Sequence, residues 1–247
     1  MGSSPILSIV IPARNEEKLL PGALRSIEIA LAFHHAHDLE TTSSEVIVSD
    51  NLSTDRTAEI ARAAGARVVK TDVRNIAHVR NRGAEAARGA FLIFVDADSA
   101  LHRRSIHRVI SLLRRPDIIG GSAPMSHDRR GPDLQALSLL MNALFRGFQS
   151  AFGAFMFCRK EDLDAIGGFD EGAEAGEELI LSEALKRRGR ERRQRFRILT
   201  ECPFWTSMRK LDLHGRVGVI RVLLGLLLDR MARRPFTDHY RYWYPIE

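Results

Sequence analysis

The sequence contains little cysteine. Its 247 residues include two cysteines, Cys158 and Cys202, which lack the spacing of a metal site and are too few for a disulfide framework. Small secreted domains that depend on disulfides, and sites built from clustered cysteine ligands, are therefore excluded. This cysteine content fits the reducing environment of the cytosol.

The sequence also lacks the segments that carry a chain into or across a membrane. No run of about 18 uncharged apolar residues occurs, so no transmembrane helix is predicted. The N-terminus has no basic segment followed by an apolar core, so no signal peptide is predicted. We expect a cytoplasmic protein, either free or peripheral on the inner face of the membrane.

Glycine is missing from the segment that follows the first predicted strand. This segment, PARNEE at 12–17, does not contain the G-x-G-x-x-G that an NAD-linked dehydrogenase requires there. A sugar-nucleotide pyrophosphorylase requires a glycine-rich phosphate loop with a basic residue at the same place. The dehydrogenase is therefore excluded, and the pyrophosphorylase is kept as an alternative because its nucleotide-binding fold is related.

Positive charge is in excess. The formal net charge is +6 and the isoelectric point is about 9.8, which favours anionic partners such as nucleic acid, nucleotide phosphates or an acidic membrane. A basic module that binds a membrane or nucleic acid is thus an alternative function. Segment 209–234 fits two interpretations equally: a helix on a membrane surface, because its apolar residues are flanked by arginines as in interfacial helices, or an ordinary core helix with solvated ends. These arginines are Arg216, Arg230, Arg233 and Arg234.

Residues 6–95 alternate between strand and helix patterns. Apolar runs predict four strands, and periodic apolar positions bounded by capping residues or by Gly65 predict the helices between them. This alternation predicts a mostly parallel α/β sheet flanked by helices. The predicted strands are 6–12, 45–50, 67–71 and 91–95, and the predicted helices begin near Glu16, Ser53 and Asn75.

The pattern is less regular beyond Pro116. We expect a strand at 118–121, an apolar helix at 134–148, a buried strand with a short helix and a glycine turn at 153–171, and an amphipathic helix at 176–189. The histidines of 33–38, FHHAHD, have no partners at a spacing that selects a metal site. We expect them to be solvated.

Two aspartates directly follow the fourth strand. Asp96 and Asp98 are separated by the small residue Ala97. In an extended chain, residues i and i+2 point to one side, roughly 6.6 Å apart, so both carboxylates would face the same point. A divalent cation would relieve their repulsion, and such oxygen ligands suit Mg²⁺ or Mn²⁺. A turn or a helix cap is the alternative, but it accounts for only one of the two acids.

Other polar residues follow the neighbouring strands. Segment 12–15 comes after the first strand and Asp50 ends the second. Ligands of parallel α/β sheets bind beyond the carboxyl ends of the strands. We therefore expect the three loops at 12–15, 50 and 96–98 to converge on one cleft.

Five blocks of the sequence resemble the family 2 glycosyltransferases and occur in the order typical of that family. They are SIVIPARNEEKLL, EVIVSDNLSTDRTAEIA, RNRGAEAARGAFLIFVDADS, GAFMFCRKEDLDAIGGFDE and GEELILSEALKRRGR, and they cover roughly residues 7–189. The resemblance implies a GT-A fold, with a nucleotide-sugar transferase domain at 1–208 and a helical C-terminal extension at 209–247. It also implies an inverting, metal-dependent hexosyltransferase that uses a nucleotide-diphosphate donor.

The resemblance also implies roles for the residues at the strand ends. Asp98 would coordinate Mn²⁺ or Mg²⁺ held by the diphosphate, and Asp96 would contact the ribose or a water on the metal. Asp50 would accept an N–H from the nucleobase, and Arg80 would reach toward the base or the phosphates. The base and ribose would be lined by Pro12, Ala13, Arg14, Asn15 and Glu16. UDP is slightly favoured over GDP, the sugar and acceptor are left open, and no nucleic acid is expected as a partner.

The catalytic base and one loop depart from the usual pattern of the family. Glu178 stands where the base is usually Asp, and Glu177 is the second candidate for this role. Leu52 and Arg56 occupy positions where such proteins often have glycine. The resemblance therefore does not define the shape of the loop that contains them.

Overall fold

The structure is a computed structural model that describes residues 5–38, 42–127, 139, 142–143, 147, 150–151, 153–173 and 176–207. The predicted helix at 134–148 lies mostly outside these residues, and the predicted extension at 209–247 lies wholly outside them. No helix in the described ranges is long and apolar enough to cross a membrane.

Ten strands and six helices lie wholly within these ranges. The strands are β1 Leu7–Ala13, β2 Ser44–Asn51, β3 Arg67–Thr71, β4 Phe91–Val95, β5 Ser99–Ala100, β6 Ile118–Ser122, β7 Met125–His127, β8 Phe155–Arg159, β9 Arg195–Ile198 and β10 Phe204–Thr206. The helices are α1 Leu20–His37, α2 Thr57–Ala63, α3 Ile76–Ala86, α4 Ser105–Leu113, α5 Lys160–Ala165 and α6 Glu177–Glu191.

Seven strands form one sheet in the order β3-β2-β1-β4-β8-β6-β9. The first four of these are parallel, as is the pair β6–β9, whereas β8 runs antiparallel to both of its neighbours. The predicted mostly parallel α/β sheet is therefore confirmed. A second, three-stranded sheet in the order β5-β10-β7 was not predicted.

Helices cover both faces of the large sheet. The interior strand β1 is buried along its whole length, as expected for a largely apolar strand in a parallel part of a sheet. Its residues Leu7, Ile9 and Ile11 belong to the apolar cluster that contains α1 and α4, whereas Val10 belongs to the cluster that contains α3 and α6. Alternate side chains of β1 thus contact the two apolar layers on opposite faces of the sheet.

Two helices begin later than predicted because loop contacts use their first residues. Helix α1 begins at Leu20 rather than near Glu16, and the N–H groups of Leu19 and Leu20 both donate to the carbonyl of Glu16, at 3.1 and 2.9 Å. Helix α2 begins at Thr57 rather than near Ser53. The cause is a set of hydrogen bonds between the loop after β1 and the loop after β2.

Helix α3 packs close to the sheet at Gly83. A Cβ atom built on Gly83 would lie 2.3 Å from Cγ1 of the buried Val10. Gly83→Ala is therefore expected to lower the free energy of unfolding by about 1–3 kcal/mol, because the added methyl group would overpack the site against the fully buried Val10 side chain.

Gly22→Ala in α1 is the matched control, because nothing lies within 4 Å of a Cβ atom at that position. It is expected to raise the free energy of unfolding by about 0.5–1 kcal/mol. Denaturant unfolding of both variants measures the contrast. Equal stabilities for the two variants would contradict the close approach of α3 to β1.

Candidate active site

The carboxyl ends of β1, β2 and β4 meet at one edge of the large sheet. Ala13, the last residue of β1, lies opposite Asp50 in β2, and β4 pairs with the other side of β1. The segments that follow these strands therefore emerge side by side. The expected cleft between the segments at 12–15, 50 and 96–98 thus has its structural basis in the sheet register.

The loops after β1 and β2 are joined by several hydrogen bonds. Oδ1 of Asn15 accepts from the N–H of Thr54 at 2.8 Å, and the N–H of Asn15 donates to Oγ of Ser53 at 3.0 Å. Oδ2 of Asp55 accepts from the N–H of Glu17 at 3.1 Å. Ser53 and Thr54 therefore bind the first loop instead of capping α2, which explains why that helix begins late.

Asp55 is a residue of this loop pair that the sequence analysis missed. Its Oδ1 accepts from the N–H of Thr57, the first residue of α2, at 2.9 Å. Its Oδ2 meanwhile accepts from the N–H of Glu17 in the loop after β1. The short sequence Asp55-Arg56-Thr57 has the spacing of a local turn motif, which could have indicated the first contact. The second contact, over 38 positions, has no local signal.

Two residues that are not glycine adopt left-handed backbone conformations in these loops. Asn15 has φ of 54°, and so does Leu52, which stands at one of the positions where glycine was expected. The turn therefore forms with leucine in place of glycine. The leucine side chain remains 46% exposed beside the buried Asp50.

The predicted nucleotide residues occupy the edge of the sheet in different environments. Pro12 and Ala13 are buried in β1, Arg14 and Asn15 are exposed, and Glu16 is buried. Asp50 is also buried, and its Oδ1 accepts from the N–H of Ser53 at 3.3 Å. Their contacts with a nucleotide stay a prediction.

Asp96 and Asp98 lie in a turn rather than in an extended chain. Strand β4 ends at Val95, and the N–H of Ser99 donates to the carbonyl of Asp96 at 3.0 Å. The extended-strand spacing argued from the sequence is therefore wrong. Both aspartates are partly exposed, and the carbonyl of Asp98 accepts from the N–H of Ser207 at 3.1 Å.

Arg80 brings four charged side chains together behind this turn. It is 3% exposed, and its Nη2 donates to Oδ1 of Asp96 at 2.8 Å. Its Nη1 donates to Oε1 of Glu177 at 2.5 Å, and Nη2 lies 3.6 Å from Oε1 of Glu178. The guanidinium also lies 5.4 Å from the ring centre of Phe169. We call Arg80, Asp96, Glu177 and Glu178 the Arg80 cluster.

The Arg80 cluster holds three carboxylates against one guanidinium. Burial would lower the pKa of Arg80, but the attraction of Asp96, Glu177 and Glu178 outweighs it and raises that pKa further. Burial, followed by repulsion from Glu177 and Asp96, raises the pKa of Glu178 to about 8 despite the opposing charge of Arg80. The cluster therefore has an excess of negative charge that a cation would offset.

The ion pairs of Arg80 with three acids were not predicted from the sequence. Its guanidinium lies between the end of β4 and the start of α6, and its expected contact with the nucleotide stays a prediction. Phe169, which packs on that guanidinium, was also missed. Its only signal is its place beside the glycine turn of Gly167 and Gly168, which have φ of 83° and 79°.

The two aspartates of the turn fit a divalent cation as part of a larger ligand set. No group of three or more histidine, cysteine, aspartate and glutamate side chains in the described ranges is arranged to hold a metal. The partly exposed side chains of Asp96 and Asp98 supply hard oxygen donors next to surplus negative charge. Such a site suits Mg²⁺ or Mn²⁺ when substrate phosphates and water complete the coordination.

The sequence also matches proteins of known type. Residues 8–167 match the model of a family described as Glycosyl transferase family 2. The low-salt glycan biosynthesis hexosyltransferase Agl6 of Haloferax volcanii is 26% identical over 196 residues, which are 74% of this chain and 45% of that protein. The chain spans about half the length of curated relatives such as this one.

Two solved structures have a similar fold. The mannosyltransferase PcManGT from Pyrobaculum calidifontis, in complex with GDP-Man and Mn²⁺, has a TM-score of 0.67 at 18% identity, covering 98% of this chain and 69% of that chain. TarS from S. aureus, in complex with UDP-GlcNAc, has a TM-score of 0.61 at 20% identity, covering 82% of this chain and 58% of that chain. These likenesses show that the fold is of the GT-A type.

Proposed function

Because the chain belongs to glycosyl transferase family 2, we propose that its candidate active site transfers a sugar from a nucleotide-diphosphate donor to an acceptor hydroxyl. The observation that carries this proposal is the Arg80 cluster, which joins Asp96 at the end of β4 to Glu177 and Glu178 at the start of α6. One guanidinium thus connects the acid expected at the donor to the acids expected at the acceptor. Neither the pyrophosphorylase nor the basic binding module is favoured by the family match.

The nucleoside of the donor is proposed to lie between the joined loops after β1 and β2. Asp50 is buried there and would accept an N–H from the base, which both uracil and guanine can donate. The backbone of 12–16 would line the base and ribose. The complexes of TarS with UDP-GlcNAc and of PcManGT with GDP-Man support a nucleotide-sugar donor. UDP is the slightly favoured donor nucleotide in this proposal.

A divalent cation is proposed to bind at the turn after β4. Asp98 would hold Mn²⁺ or Mg²⁺, with Asp96 next to it, and the diphosphate would provide further ligands. When bound, the cation would neutralise the negative charge that develops on the departing nucleoside diphosphate. Mn²⁺ in the PcManGT complex supports this part of the proposal.

Glu178 is proposed to be the base of an inverting transfer. Its side chain is 17% exposed, whereas that of Glu177 is 3% exposed and bonded to Arg80. Glu178 can therefore receive the proton of an acceptor hydroxyl when the hydroxyl oxygen attacks the anomeric carbon. Its raised pKa makes the carboxylate a stronger proton acceptor than an ordinary glutamate. Arg80 would hold Glu177 and the donor-side Asp96 in fixed positions.

Nucleotide binding with and without Mn²⁺ tests the donor half of this proposal. Calorimetry is expected to show that UDP or GDP binds more tightly with Mn²⁺ than with a chelator, and that NAD does not. Asp98→Asn removes one charged ligand and should lower the Mn²⁺-dependent affinity by about tenfold or more.

Asp72→Asn is the matched control for Asp98→Asn. Asp72 is exposed and follows β3 at the same edge of the sheet, so the variant loses the same charge outside the proposed site. It is expected to bind as the unchanged protein does. Equal Mn²⁺-dependent affinities for all three proteins would contradict the assignment of Asp98.

A further inference from the structure

A pocket of about 470 Å³ lies between the C-terminal part of α1 and the start of α4. The pocket is open to solvent, since none of the side chains that line it is buried. Its lining residues are Phe33, His37, Arg103, Arg104, His107 and Arg108. From Leu20, which adjoins the loop after β1, to Phe33, helix α1 rises roughly 20 Å. The pocket thus lies away from the nucleotide loop after β1, whereas its residue Arg103 follows Asp98 by five positions along the chain.

The lining of this pocket is strongly basic. Three of its six residues are arginines and two are histidines. Arg108 is neutralised by Glu201, whose Oε1 accepts from its Nε at 2.8 Å. Arg103 and Arg104 are exposed and form no ion pair with a carboxylate of the described ranges. These two guanidinium groups therefore supply net positive charge to the pocket.

Aromatic contacts hold part of the lining in place. The ring of His37 stacks on that of Phe33 with centres 4.0 Å apart, and its Nδ1 donates to the carbonyl of Phe33 at 2.8 Å. The guanidinium of Arg103 lies 5.5 Å from the centre of the Phe33 ring. Such a contact restrains the long arginine side chain before any ligand binds. The pocket thus has a preorganised basic wall.

The start of α4 carries charges of the unfavourable sign. Arg104 is its N-cap residue, no side chain caps it, and its first turn contains no acidic residue. The N-terminus of a helix has a partial positive charge, so Arg103 and Arg104 repel it as well as each other. Local conflicts of this kind are characteristic of functional sites. A bound anion would attract both arginines and the helix N-terminus and so offset their repulsion.

We propose that this pocket binds an anion that carries a phosphate group, either a free phosphate or the phosphorylated headgroup of a lipid. Arg103 and Arg104 would bind the phosphate oxygens through their forked N–H groups. Phe33 and His37 would face the part of the ligand that the phosphate is attached to. This site needs neither the donor nor the cation of the proposed sugar transfer.

Two binding measurements, both in EDTA to prevent cation-dependent binding at the active site, distinguish the two sources. The first is calorimetry with inorganic diphosphate, and the second is co-sedimentation with vesicles of phosphatidylcholine with and without phosphatidic acid. The test variant is Arg103→Gln/Arg104→Gln. The control variant is Arg62→Gln/Arg187→Gln, which loses the same charge from exposed positions of α2 and α6.

The test variant is expected to bind at least one probe about tenfold more weakly or worse, while the control variant binds normally. A loss of diphosphate binding identifies free phosphate as the ligand, and a loss of vesicle binding alone identifies the lipid. Arg103→Lys/Arg104→Lys keeps the charge without the fork, and a smaller loss is expected for it. Equal losses in the test and control variants, or no binding of either probe by the unchanged protein, would overturn the proposal.

Discussion

Replacing Glu178 by glutamine is expected to lower turnover by about 10²- to 10⁴-fold while donor binding survives. Glutamine has nearly the same shape as glutamate but cannot take up the proton of the acceptor hydroxyl. The partly exposed Glu178 carboxylate lies at the edge of the Arg80 cluster, 3.6 Å from Nη2 of Arg80. Steady-state kinetics with a fixed donor and calorimetry of that donor separate the two effects.

Glu177→Gln is the matched control because the two glutamates are adjacent. Glu177 is buried against Arg80, so this variant is expected to affect stability more than turnover. If the two variants exchange their effects, Glu177 is the base. If neither variant loses turnover, the base does not lie at the start of α6.

The pH dependence of kcat/KM gives a second readout of Glu178. The pKa of its carboxyl is raised to about 8, so the free enzyme holds it protonated below that pH. A protonated carboxyl cannot act as the base, so kcat/KM should fall as the pH falls through the neutral range. A fall in kcat/KM centred near pH 4.5, the ordinary pKa of a glutamate, would contradict the environment described for Glu178.

Replacing Arg80 by glutamine is expected to destabilise the fold by about 3–5 kcal/mol at neutral pH. The substitution removes the single cation from the Arg80 cluster and leaves three carboxylates facing one another. It also removes the contact with Phe169. Denaturant unfolding at several pH values measures this loss.

The effect of Arg80→Gln should depend on pH in a defined direction. The pKa of Glu178 is already above its ordinary value and should rise further without Arg80. A carboxyl whose pKa is higher in the folded state stabilises the fold at low pH and loses this contribution as the pH rises. The variant should therefore regain stability on acidification toward pH 5. Arg80→Lys keeps the positive charge but not the forked N–H groups of arginine. Its free energy of unfolding should lie between those of Arg80→Gln and the unchanged protein.

An unchanged free energy of unfolding in Arg80→Gln would show that the Arg80 cluster does not form. The measurement is independent of catalysis, since it needs neither donor nor acceptor. It thus tests the architecture on which the assignments of Asp96, Glu177 and Glu178 depend.

The main sheet could be predicted from the sequence to the extent that its strands are continuous apolar runs. Phe91–Val95 has the predicted bounds for this reason. The small sheet could not be predicted, because Ser99–Ala100 has two residues and Met125–His127 has three, too few for a periodic pattern. Their pairing with Phe204–Thr206 depends on contacts between distant segments.

The candidate site was predictable where it follows from strand ends and unpredictable where it follows from packing. Asp50 and Asp96 lie at the expected edge because parallel strands place their carboxyl ends together. The position of Arg80 on α3 did not indicate a buried ion cluster, since its partner Glu177 is 97 positions away. The extended geometry expected at 96–98 failed because Ser99 closes a turn there.

Release of nucleoside diphosphate from a panel of UDP- and GDP-sugars, with Mn²⁺ or with a chelator, tests the central claim most directly. We predict slow, Mn²⁺-dependent hydrolysis of at least one donor, which Asp98→Asn abolishes and Asp72→Asn leaves intact. Failure of the folded protein to hydrolyse any of these donors in Mn²⁺, or equal hydrolysis in the chelator, would contradict the proposed metal-dependent sugar transfer.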